Sequence, residues 1–247
     1  MKRLPTESVD MVITSPPYDN LRTYKGFSWD FEGIVAEIFR VLKKGGVAVW
    51  IVQDATIKGS ETGSSFRQAL FFQQTGFNIH DTMIWEKPSF TATGDLKIRY
   101  ANVFEYMFIF SKGKPKTFNP IKDRPNKYAN RKVHGTIVLA DGTRRRRSNE
   151  GKRLAELGQR FNVWKMPPVN SSTERTGHPA QFPVRLVKDH IISWSNEGDV
   201  VLDPFMGSGT SAIACLDTNR QYIGFEISQE YCEMAEKRIT QHKAEMK

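Results

Sequence analysis

The chain has 247 residues, 39% of them hydrophobic, with a formal charge of +9. That length supports one sizeable core plus an inserted lobe. No apolar run approaches the roughly 20 residues of a membrane span, and the charged Met1-Lys2-Arg3 start has no apolar stretch behind it, so neither a membrane span nor a signal peptide is expected. Cys215 and Cys232 are the only cysteines and are not closely spaced. This argues against a disulfide scaffold and a thiolate metal site, leaves no metal expected, and fits a reducing, cytoplasmic compartment.

Residues 9–13 read as a buried strand. The run Thr14-Ser15-Pro16-Pro17-Tyr18 must end it, because two prolines cannot donate ladder hydrogen bonds. The result is a stiff corner offering a hydroxyl, bare carbonyls and an aromatic ring. Those parts can hold a planar base by its amino group and stack on its face. Phe31, Ile34, Val35, Ile38, Phe39 and Leu42 have helical spacing, and Lys43-Lys44-Gly45-Gly46 ends that helix. Residues 47–52 form a continuous apolar strand, typical of a sheet covered on both faces. A helix over 65–74 stops at Gly76, and 79–86 and 106–110 read as an antiparallel strand pair at one edge.

From Lys112 onward this pattern fails. Residues 112–175 hold 17 Lys or Arg against 5 Asp or Glu, so the whole basic excess sits in this quarter of the chain. The segment is poor in apolar residues and contains Arg144-Arg145-Arg146-Arg147, with only short strand-like pieces such as 135–139. Most charge runs are solvated faces. A basic lobe on a slightly acidic body favours a polyanion, most simply nucleic acid.

Regular structure returns with a helix over 183–195, a strand over 200–203, a glycine loop, a helix over 211–216, a strand over 222–226 and a last helix from Ser228. The loop Asp203-Pro204-Phe205-Met206-Gly207-Ser208-Gly209-Thr210 follows a strand and opens a helix. A glycine turn there aims backbone amides at a ligand above the strand ends. It is not the G-x-G-x-x-G of dinucleotide folds, and no Lys makes it a nucleotide P-loop. Glu226, about twenty residues on, can accept both hydroxyls of a ribose. Together they point to an adenosine-bearing cofactor without a pyrophosphate.

These residues resemble the S-adenosylmethionine-dependent amino-methyltransferases of DNA. Asp203–Thr210 looks like the family's cofactor loop, Glu226 its ribose-binding acid and Thr14–Tyr18 its catalytic motif. Gly177-His178-Pro179-Ala180-Gln181-Phe182-Pro183 resembles the motif before the helix beside the cofactor. Ile84-Trp85-Glu86-Lys87-Pro88 resembles the strand-end motif on the base side, and Arg99 with Glu105-Tyr106 the segment after it. The order, catalytic motif then basic insert then cofactor loop, is the circularly permuted β-group arrangement. The implied fold is α/β: a Rossmann-like methyltransferase sheet, circularly permuted, with an inserted basic target-recognition lobe. Residues 1–111 would be the catalytic half, 112–177 the target-recognition insert and 178–247 the cofactor half.

The resemblance implies a flipped-out target nucleotide whose exocyclic amine is held by the Ser15 side chain and the Pro16 carbonyl, with Pro17 stiffening the corner and Tyr18 stacking on the ring. Asp203, Pro204, Phe205, Gly207, Ser208, Gly209, Thr210, Glu226, His178 and Phe182 would line the cofactor. Arg22, Lys87 and Arg144–Arg147 would meet double-stranded DNA. Adenine-specific relatives usually carry Asp where this chain has Ser15, and more often Lys where it has Phe182. Asn20-Leu21-Arg22-Thr23-Tyr24 resembles the matching loop of cytosine-amine enzymes. The target is therefore expected to be cytosine N4, with adenine N6 the alternative and a catalytically silent DNA-binding protein a third reading. Relatives usually carry one more strand before the Leu4-Pro5 step, so an edge strand is expected to be missing. A homodimer and a cognate restriction endonuclease are the further partners expected.

Overall fold

In the computed structural model, which describes residues 1–17, 29–89, 95–169 and 181–246, the apolar strand β1 (Val9–Thr14) occupies the interior of a seven-stranded sheet. Every residue of β1 except Asp10 is buried, as expected for a strand covered on both faces. It pairs in parallel with β2 (Leu42–Val52) on one side and with β12 (Val200–Asp203) on the other. β13 (Gln221–Gly224) continues the parallel set beyond β12 and is the sheet's edge among the described residues. On the other side β6 (Phe104–Ser111) and β5 (Asn78–Glu86) follow β2, both in antiparallel pairings.

Helix α1 (Phe31–Val41) begins where the Asp30 carboxylate accepts from the Gly33 amide at 3.0 Å. It ends one residue earlier than the sequence predicts. Lys43-Lys44-Gly45-Gly46, expected as its tail, instead belong to β2. The register of β1 against β2 shifts there, and Gly45 takes a φ of +79° so that its amide meets the Lys112 carbonyl at 2.7 Å. Next come a hairpin of β3 (Thr56–Ile57) and β4 (Ser60–Glu61), then α2 (Ser64–Thr75), which stops at Gly76 with φ +110°. Helices α3 (Val184–Trp194), α4 (Thr210–Leu216) and α5 (Gln229–Glu245) follow in the last part of the chain. Trp50, Trp164 and Trp194 are buried, as expected of core residues.

The chain divides into two compact units, one of Met1–Asn119 with Asn162–Lys247, the other of Pro120–Phe161. The second is narrower than the expected insert. The difference arises because β11 (Val163–Lys165), too short to show a pattern in sequence, pairs in parallel with β5 and joins the main sheet. β5 is therefore an inner strand, not the edge. Within the second unit β7 (Lys122–Pro125) pairs with β10 (Leu157–Gln159), and β8 (Thr136–Val138) with β9 (Arg144–Arg146). The arginine run, read from sequence as meeting DNA phosphates, is largely a strand with every residue exposed. No described helix is long and apolar enough to cross a membrane.

Candidate active site

The carboxyl ends of β1, β12 and β13 lie side by side, and the chain leaves each through a motif residue. Ligands of open α/β sheets bind above such ends. Ser15 and Pro17 are half-buried beyond β1, and Pro16 is buried. The preceding Thr14 is fully buried, and its hydroxyl donates to Asp203 Oδ1 at 2.6 Å. Asp203, the last residue of β12, is 1% exposed. Its Oδ1 also accepts from the Phe205 amide at 3.0 Å, and its Oδ2 from the Ser211 hydroxyl. Burial pushes its carboxyl up to about 6, against the pull of these hydrogen bonds. One carboxylate thus ties the proline corner, the glycine loop and the first turn of α4 together. Sequence reasoning assigns Asp203 to the cofactor; in the structure its oxygens accept three hydrogen bonds from the protein itself.

The loop between β12 and α4 is closely packed. Pro204, Gly207, Ser208, Gly209 and Thr210 are buried. Phe205 is half-buried and packs edge-on to Trp29, with ring centroids 5.1 Å apart, and near Trp50 at 6.4 Å. Gly209 has φ +80°, and a Cβ there would sit 3.1 Å from the Ala235 Cβ of α5. Only glycine combines that φ with that approach. Arg238 of α5 donates to the Ser208 carbonyl at 3.2 Å and to the Thr210 hydroxyl at 2.9 Å, bracing the loop from outside. Two of the turn amides expected to face a ligand are bonded within the protein. Gly207 N donates to Glu226 Oε2 at 2.9 Å and Gly209 N to the Met206 carbonyl at 3.0 Å. The nearest strong acceptor, the Glu226 carboxylate, captures the first of them.

Glu226 lies two residues past β13, beyond the strand expected to include it. Its Oε1 accepts from the Ile227 and Ser228 amides, both at 2.9 Å. Three amides fix the carboxylate's direction, yet an ionised carboxylate has about four acceptor positions. Ile227 beside it is an apolar side chain 70% exposed. A fixed acceptor flanked by an exposed apolar side chain, at the ends of parallel strands, fits an adenosine moiety. Ile227 and Arg238 escape sequence reasoning. The only signal for Ile227 is its place next to Glu226, and for Arg238 its position three residues after Ala235 on the last helix.

Near the end of β5, Trp85 is buried and donates to the Met166 carbonyl at 2.8 Å. Lys87, expected to meet DNA, is paired with the buried Glu105 at 2.5 Å, with its side chain only 20% exposed, and lies 5.1 Å from the Trp85 ring centre. A phosphate would compete for it with a buried carboxylate. Lys87→Gln is expected to destabilise the fold by ~2 kcal/mol, because it removes the ion-pair partner of a buried carboxyl group. Thermal unfolding checks the loss, while the salt dependence of DNA binding is expected to stay put. Phe182 is half-buried one residue before Pro183, the N-cap position of α3. Arg144, Arg145, Arg146 and Arg147 are exposed in the second unit. Tyr18, Arg22 and His178 lie outside the described residues.

Comparison with known proteins agrees with this layout. The family model N6_N4_Mtase, DNA methylase, matches residues 9–237. The orphan methyltransferase M.BamHII of Bacillus amyloliquefaciens is 54% identical over 238 residues, covering 94% of this chain and 89% of the relative. The DNA adenine methyltransferase YhdJ of Escherichia coli is 29% identical, covering 97% of this chain and 79% of the relative. Among solved structures, the M1.HpyAVI–SAM complex superposes with a TM-score of 0.65 at 25% identity, covering 96% of this chain and 90% of that one. With its motifs on three adjacent strand ends and the family model spanning nearly its whole length, the chain belongs to the N6/N4 DNA methylase family.

Proposed function

We propose that the chain methylates the N4 amine of cytosine at a specific site in double-stranded DNA, with S-adenosylmethionine as cofactor. The observation that carries the transfer chemistry is the Thr14–Asp203 bond, which holds the Ser15-Pro16-Pro17 corner against the loop after β12. Acceptor corner and cofactor loop are thereby fixed to one buried group, the kind of preorganisation an in-line transfer needs. The Ser15 hydroxyl and the Pro16 carbonyl accept from the exocyclic amine, pulling its nitrogen from planar toward tetrahedral and localising the lone pair. Tyr18 stacks on the base. Phe205, Gly207, Ser208, Gly209 and Thr210, with Pro204, His178 and Phe182, form the cofactor wall, and Glu226 takes the ribose hydroxyls. Bound S-adenosylmethionine supplies an electrophilic methyl group. No thiolate nucleophile is needed, and the buried Cys215, its thiol pushed up to about 12 by burial, is unsuited to be one.

Ser15 and Phe182 favour cytosine. The similarity to an adenine methyltransferase at 29% identity keeps N6-adenine as the second reading. Nucleoside mass spectrometry of duplex DNA incubated with the chain and cofactor is expected to give N4-methylcytosine. N6-methyladenine would replace the first reading with the second, and no methylated base on any DNA would sink both. On this reading residues 1–111 supply the acceptor half, 178–247 the cofactor half and the basic residues between them target recognition, in a cytoplasmic enzyme beside its DNA. A homodimer and a cognate restriction endonuclease complete the proposal. Sedimentation of the free chain tests the first, and restriction of unmodified DNA in the source cell tests the second.

A further inference from the structure

The unit Pro120–Phe161 is one long antiparallel arm. Arg160 N bonds the Ile121 carbonyl at 2.9 Å at its root, and β7 pairs with β10 next. Asn126 N to the Glu156 carbonyl, Asn130 N to the Leu154 carbonyl and Val133 N to the Lys152 carbonyl, at 2.8, 2.8 and 2.9 Å, carry the pairing outward. β8 and β9 then close it at a tip where Thr143 N and Oγ1 both donate to Asp141 Oδ1. The arm holds 12 Lys or Arg against 4 Asp or Glu, and four of those arginines are consecutive in or beside β9.

The tip has two unequal faces. Strand residues alternate sides, so Arg144 and Arg146 share one face with their partners Val138 and Thr136, and Arg145 shares the other with Ile137. Ile137 is the only half-buried residue of β8 and β9, so the side it shares with Arg145 is the more covered of the two. The Arg144/Arg146 side is wholly exposed, and Arg146, despite Glu150 at 3.7 Å, keeps 84% of its side chain exposed. We infer that this arm tip is a two-stranded ribbon that enters the major groove of duplex DNA with Arg144 and Arg146 turned to the base edges and Arg145 to the phosphates. The inference rests on the DNA-methylating reading above. A β-ribbon fits the roughly 12 Å wide major groove, and guanidinium groups pair in bidentate fashion with guanine O6 and N7.

The test uses the full chain and two duplexes of equal length. One carries the site the chain methylates, located by sequencing DNA it has modified, and the other lacks it. Arg144→Gln/Arg146→Gln is expected to lower the preference for the site by about ten-fold or more. Arg145→Gln is expected to weaken both duplexes alike and reduce the salt slope by about one. An equal loss on both duplexes for the double variant, or no loss, overturns the groove reading. N7-methylguanine interference on the unaltered chain guards against a misfolded variant: interference at site guanines is expected, and its absence at every guanine overturns the proposal. Should the unaltered chain methylate no DNA, the enzymatic reading falls by itself. The arm then stands only if each arginine removed lowers the salt slope on mixed-sequence duplex by about one.

Discussion

Replacing Ser15 with alanine is expected to lower methyl transfer ~10²–10³-fold, the usual cost of deleting one preorganised polar partner of a transition state. Folding and S-adenosylmethionine affinity are expected to stay nearly unchanged. The corner is also held by the residues on either side of Ser15. Thr14 before it is anchored to Asp203 at 2.6 Å, and the ring of the buried Pro16 after it fixes the backbone. The substitution therefore removes one acceptor for the target amine and leaves the loop after β12 in place. Single-turnover incorporation of labelled methyl gives the first number, and calorimetric titration of cofactor into the variant gives the second. Activity retained would remove Ser15 from the chemistry. A cofactor affinity that falls in step with turnover would make it a structural residue.

The parts of this protein that are legible in sequence are those set by neighbouring residues. β1, α1, α2, α3 and β12 follow from apolar periodicity within a window of a dozen residues, and the proline corner and glycine loop follow from backbone chemistry that no tertiary partner overrides. What escapes is set by partners far along the chain. The Thr14–Asp203 bond joins residues 189 apart, so nothing beside either residue announces it. β11 has three residues and exists because β5 offers it an edge, and Lys43–Gly46 continue β2 through backbone bonds with Lys112. Arg144–Arg146 form a strand because Thr136–Val138 pair with them, a cross-strand cause that overrides the dispersing effect of like charges. Lys87 looks like a free cation in sequence and is committed to Glu105, 18 residues later.

The largest effect on the fold itself is expected at Asp203. Asp203→Ala removes the acceptor of two hydroxyls and an amide, all buried or half-buried, and is expected to destabilise the chain by about 3–5 kcal/mol and abolish cofactor binding. Asp203→Asn keeps the shape. Its carbonyl oxygen still accepts from Thr14 and the Phe205 amide, and its amide donates to Ser211, whose hydroxyl can turn to accept. The two forms are separated by pH. The native carboxyl is pushed up to about 6 from an ordinary value of 3.8, so the folded state holds a proton that the unfolded state has lost. Folding stability contributed by Asp203 is therefore greatest in acid and falls as pH rises from about 4 to 6, then stays level. Every other titrating group is shared by wild type and the Asn variant, so their difference isolates this one. Denaturant unfolding of both at pH 4.5 and 7.5 is expected to show the Asn variant gaining on wild type by roughly 2 kcal/mol at the higher pH. A gap that does not move would mean that Asp203 ionises as an ordinary carboxyl.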